Sequence, residues 1–214
     1  MRYYISDNHF FHDSLLNRMD RRGFSSVEEM NAYMIDKING KVRKNDELVF
    51  LGDFSVGNAN QTNDILAQIH CKNLMLILGN HDKYAAKTTF NRERFQWIKH
   101  YHEVSDNNRR VILSHYYIPN YNAQYRRDRN GNPTTYMLYG HVHNTMDLKY
   151  NDDIQKYLKG QTRKAFGYEA PVTVPTQAIN CFCMFSDYEP LSLDEWIELE
   201  KTRKEKFPYQ QDEA

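Results

Sequence analysis

The chain lacks net charge. Its 214 residues carry 28 Lys and Arg against 28 Asp and Glu. That balance excludes the strongly basic footprint of a bulk nucleic-acid binder, leaving only a local patch open. It also lacks long apolar runs. Mean hydropathy is −0.82, and no stretch approaches the ~18 apolar residues of a membrane span. Cysteine is scarce: Cys71, Cys181 and Cys183 are all there are, an odd set that fits a reducing cytoplasm better than a disulfide framework. Cys181 and Cys183 have no second pair to complete a structural zinc cluster. The N-terminal MRYYISDNHFF has neither the apolar run nor the cleavage site of a secretion leader. The expectation is a soluble, cytoplasmic protein with no membrane partner. Sixteen Tyr and eleven Phe supply apolar area for a core. The length predicts one domain over residues 1–200 and a charged C-terminal tail over 201–214. Nine His are the other excess.

Short, often β-branched runs predict strands at Tyr3–Ile5, Leu48–Leu51, Leu74–Leu78, Val111–Leu113, Tyr136–Tyr139 and Ile179–Phe185. Helical patterns lie between them. Ser26 and Glu29 form a capping box ahead of Met30, Tyr33, Met34 and Ile38, with Gly40 as the stop. Asn63–His70 and Asn91–Lys99 are shorter helix candidates, and Ser192 with Glu195 caps a last one through Trp196. Strands alternating with helices indicate an α/β fold. Residues 120–135 and 149–176 are polar, lack periodicity and read as long surface loops.

One pattern recurs where strands end. Ser6 precedes Asp7-Asn8-His9, Gly52 precedes Asp53, Gly79 precedes Asn80-His81-Asp82, Ser114 precedes His115, and Gly140 precedes His141-Val142-His143. In open α/β sheets ligands bind outside the carboxyl ends of strands, and a small residue there permits a sharp turn and close approach. Asp, Asn and His offer the oxygen and nitrogen donors that suit Mn, Fe or Zn. Each turn alone is ordinary turn chemistry; five of them ending in metal-ligand residues are not.

The ordered set resembles the calcineurin-like metallophosphoesterase superfamily, whose motifs are Asp-x-His, Gly-Asp, Gly-Asn-His-Asp/Glu, an isolated His and Gly-His-x-His. The look is that of its small prokaryotic and phage members, which carry a further His soon after the first motif, here His12. The resemblance implies a four-layer α/β/β/α sandwich of two mixed sheets flanked by helices. It implies two divalent cations, one held by Asp7, His9 and His143, the other by Asn80, His115 and His141, with Asp53 bridging and His81 as catalytic proton donor. The implied reaction is hydrolysis of a phosphomonoester or phosphodiester by in-line attack of a metal-bridging hydroxide. A small-molecule phosphate ester is the expected substrate. A nuclease acting on nucleic acid and a non-catalytic scaffold of the same fold are the alternatives.

The protein Ser/Thr phosphatases of that superfamily carry Asp and Arg three and four positions after the bridging Asp. Val56 and Gly57 stand there, which speaks against that branch and leaves His81 without its usual orienting acid; Asp82 adjoins it. Asn8, His12 and the run Arg126-Arg127-Asp128-Arg129 are candidates for touching substrate. His12 orienting a ligand and the Arg run as a solvated loop are the rival readings. Tyr116 and Tyr117 are pocket wall or core. His70, His100 and His102 fall outside the pattern, as does the Arg21-Arg22 pair.

Overall fold

The computed structural model describes residues 1–210. The first half of the chain is a run of strand-helix units: β1 (Arg2–Ile5), α1 (Val27–Lys41), β2 (Glu47–Phe50), α2 (Ala59–Gln68), β3 (Asn73–Ile77) and β4 (Phe95–Lys99). These strands form one sheet in the order β1-β2-β3-β4, parallel in every pairing. The second half gives β5 (Tyr101–Asp106), β6 (Arg109–Ser114), β7 (Thr135–Tyr139), α3 (Met146–Lys159), a small β8 (Thr162–Arg163) and β9 (Val172–Thr173) ribbon, β10 (Ala178–Asn180) and α4 (Leu193–Lys206). The second sheet is mixed, in the order β10-β7-β6-β5, with β5 and β6 antiparallel. Sheets flanked by helices make the expected α/β sandwich, but the first sheet is parallel, not mixed, because each of its strands returns through a crossover rather than a hairpin. Leu48 and Leu76 of one sheet and Ile112 and Leu138 of the other belong to a single buried cluster.

Local chemistry explains most element ends. The side chain of Ser192 accepts from Glu195 N while Glu195 accepts from Ser192 N, the expected reciprocal cap of α4. Asn58 and Gln61 cap α2 in the same way. Ser26 does accept from Glu29 N, but the Glu29 carboxylate turns to Ser25 instead. Gly40 lies inside α1 rather than ending it.

Three further sequence expectations change, and one strand, β5, is new. Asn91–Lys99 is not a helix: a 3-10 turn at Arg92–Arg94 leads into β4, because Phe95, Trp97 and Ile98 pair with β3 and such side chains favour a pleated surface. The strand expected over Ile179–Phe185 stops at Asn180, whose Nδ2 donates to His143 O and whose Oδ1 accepts from Phe182 N. Residues 149–159 belong to α3; its buried face includes Asp152 and Gln155, so apolar periodicity did not reveal it. β5 pairs with β6 across a two-residue turn, Asn107-Asn108, both at positive φ, as such hairpins require. Of the C-terminal segment, residues to Lys206 continue α4, and Arg203 is buried against Asp152 and Glu200; residues 211–214 lie outside the described residues.

One feature of the topology positions the site. Ser6 N donates to Cys181 O, and Cys181 N donates to Tyr139 O. The chain after β10 therefore stitches the carboxyl end of β1 to that of β7. Asp7 and Gly140-His141 are thereby brought side by side, although one belongs to each sheet.

Candidate metal centre

The strand ends converge on two groups of donors. Asp7, His9 and His143 place one ligand atom each within 4.8 Å of one another, and so do Asp53, His115 and His141. Asp53 lies between them: its Oδ2 is 3.5 Å from His9 Nε2 and 3.3 Å from His115 Nε2. Asn80 Oδ1 is 3.2 Å from His115 Nε2, so Asn80 joins the second group.

The backbone turns sharply to achieve this. Asp7, His9, Asp53, His141 and His143 all have positive φ, between 45° and 74°. Residues with a Cβ rarely adopt that region, and such strain gathers at functional sites. Small neighbours make room. Gly52, at φ +95°, sits where any side chain would collide with the His115 ring, and a Cβ on Gly79 would strike the Asp53 carboxylate.

Several bonds fix which nitrogens face inward. His143 Nδ1 stands 2.7 Å from Asp20 Oδ1, and His115 Nδ1 stands 2.9 Å from Leu51 O. Acceptors at Nδ1 leave Nε2 as the lone pair, the arrangement second neighbours impose on metal-binding imidazoles. His9 Nε2 and His143 Nε2 then face each other at 3.1 Å, and His115 Nε2 faces only oxygens. With the His9 proton on Nδ1 a cation can take both of these lone pairs, and the oxygens around His115 Nε2 suit one at the second group, so the donor set fits divalent metal at both groups. Burial, then the charge of His143, pushes His9 well below the usual histidine range, keeping it neutral as a ligand must be. Burial works the other way from Asp53 on His115. The hydrogen bond to Asp53, with the charges of Asp7 and Asp53, wins and carries His115 up to about 9. That pull on a proton is the pull the oxygens would exert on a cation.

The remaining candidates are placed as follows. His81 N donates to Asp53 Oδ1 at 2.7 Å, and its ring lies 5.1 Å from that of His9. His12 Nδ1 is 3.2 Å from His9 Nδ1, with its ring 5.7 Å from His81. Tyr116 is half exposed and packs edge-on against His141, whereas Tyr117 packs on Tyr139. Asn8 is fully buried, and neither polar atom of its side chain has a hydrogen-bond partner. The Arg126–Arg129 run lies in an exposed turn closed by Asp128, which accepts from the backbone of Asn130 and Asn132. Asp82 does not orient His81. Its carboxylate accepts from the backbone of Asp53, Phe54 and Gly79. Sequence reasoning missed Asp20 and Arg22, which sit in a polar loop with no strand-end signature to mark them.

The model of the calcineurin-like phosphoesterase superfamily domain matches residues 3–159. The uncharacterized protein MJ1445 of Methanocaldococcus jannaschii is 39% identical over 87 residues, covering 40% of this chain and 48% of that protein. The match thus spans about half the length of that relative. A crystal structure of the protein of unknown function AQ665 from Aquifex aeolicus is similar with a TM-score of 0.60 at 23% identity, covering 93% of this chain and 98% of that one. At that identity the likeness shows the fold. Among the described residues no helix is long and apolar enough to cross a membrane.

Proposed function

Because the chain belongs to the calcineurin-like phosphoesterase superfamily, we propose that it is a metal-dependent phosphoester hydrolase that uses two divalent cations, Mn, Fe or Zn, on a small phosphomonoester or phosphodiester. Asp53 carries this reading, since one carboxylate oxygen lies within reach of both donor groups. Asp7, His9 and His143 would hold one cation, and Asn80, His115 and His141 the other, with Asp53 shared. When bound, the cations supply Lewis-acid charge toward phosphoryl oxygens and lower the pKa of water.

The chain's own residues do the rest. His81 is held by its backbone bond to Asp53, and its imidazole carries the proton that the departing alkoxide needs. His12, beside His9 and His81, and Tyr116, beside His141, bind and orient the ester. Asn80, a neutral ligand, leaves the centre less anionic than an all-carboxylate cage and so more accepting of a phosphate. The three cysteines are free and buried, which supports a reducing cytoplasm as the compartment.

The test is a screen of the Mn-supplemented protein against a chromogenic monoester, a chromogenic diester, cyclic nucleotides and single-stranded DNA. Hydrolysis of a small ester that chelator abolishes and Mn restores is the expected result. Turnover of DNA alone would replace this reading with a nuclease. Two bound cations with no turnover of any ester would replace it with a binding scaffold.

A further inference from the structure

Asp20 and Arg22 form an ion pair whose side chains are wholly buried. Arg22 grips one Asp20 oxygen through both Nε and Nη2, each at 2.9 Å. A buried pair of this kind is costly to desolvate and is a weak source of stability in itself. Its contacts suggest a different use.

Both ends of the pair land on the same donor group. At one end, Asp20 Oδ1 meets His143 Nδ1 at 2.7 Å. At the other, Arg22 Nη2 donates to Asp7 O at 2.9 Å and Nη1 donates to Asn8 O at 2.6 Å. The first contact fixes the imidazole's proton on Nδ1 and its lone pair toward Asp7 and His9. The second holds the turn in which Asp7 stands at φ 57°, a left-handed conformation that residues with a Cβ rarely adopt. That turn aims the Asp7 carboxylate at the His141 N–H, 2.9 Å away. Among the described residues, Asp20 and Arg22 make no hydrogen bond or ion pair with Asp53, His115 or His141.

We propose that Asp20 and Arg22 are positioning residues chiefly for one cation. They set His143 and Asp7 together, so the affinity of the Asp7-His9-His143 group depends on them directly, and that of the Asp53-His115-His141 group only through the bond from His141 N to the Asp7 carboxylate. This rests on reading the two groups as cation sites.

The experiment is calorimetric titration of the metal-free, full-length protein with Mn2+, with thermal unfolding of each metal-free variant as a fold check. The wild type is expected to bind two Mn per chain. In Asp20→Asn one of the two sites weakens by about 10- to 100-fold and the other by far less. His141→Ala, which disables the second group, should leave one site, and adding Asp20→Asn should weaken that one. Arg22→Lys keeps the charge but loses the two-pronged grip, and gives a smaller loss at the same site; it serves if Asp20→Asn does not fold. Equal weakening of both sites, or of neither, overturns the proposal. A wild type that binds no Mn overturns instead the reading of the groups as cation sites.

Discussion

The carboxylate of Asp82 accepts the backbone N–H of Asp53 at 2.9 Å. The acid that follows His81 in the chain thus holds Asp53, which lies between the two donor groups, not the candidate proton donor. It also accepts from Phe54 N at 2.8 Å and Gly79 N at 2.8 Å, pinning two strand ends to each other. Burial pushes the Asp82 acid up to about 6; the Gly79 N–H opposes this, and the charge of Asp53 adds to it.

Asp82→Ala leaves those buried N–H groups without acceptors. An unsatisfied buried donor costs about 1–3 kcal/mol, and relaxation spares part of the sum. The variant should lose about 3 kcal/mol in urea unfolding and bind Mn more weakly, because Asp53 is no longer held. Unchanged stability would show that another group takes over the three donors.

Asp53→Asn should abolish hydrolysis while the fold persists. The neutral amide keeps the shape but removes the one carboxylate within reach of both donor groups. Metal analysis should find fewer than two cations per chain. Activity at the wild-type level would remove Asp53 from the centre.

His81→Ala should slow esters with poor leaving groups far more than those with good ones, since only the former need a proton on departure. The expected loss is roughly 100- to 10,000-fold for an alkyl ester, read as kcat against leaving-group pKa. An equal loss across the series would assign His81 to binding or support instead.

The cap of α4 gives a pH-dependent stability test away from the centre. Burial works to raise Glu195, but its bonds with Lys41 and Ser192 outweigh this and hold it below the ordinary 4.5. A depressed folded-state value means the contribution is present above about 4.5 and lost as pH falls through the folded value. Ser192→Ala should cost about 1 kcal/mol at pH 7. Glu195→Gln should reduce the stability difference between pH 7 and pH 3, both read by urea unfolding.

The sequence by itself determined the donor list and its order. Asp7, Asp53, Asn80, His115 and His141 each follow a small residue, and His9 and His143 sit three places beyond one, because a sharp turn at a strand end needs that space, and such turns are local. It also fixed the reciprocal cap of α4, which closes over four residues. It misread Phe95–Lys99 and missed β5, since an edge strand is made by its pairing partner. It missed α3, whose buried face carries Asp152 and Gln155. Only the tertiary structure decided that Asp82 serves Asp53, that Asn8 is buried, and that Asp20 and Arg22 reach His143 and Asp7. Those relationships join residues far apart in the chain, through hydrogen bonds that exist only once Ser6, Cys181 and Tyr139 have brought the two sheets to one edge.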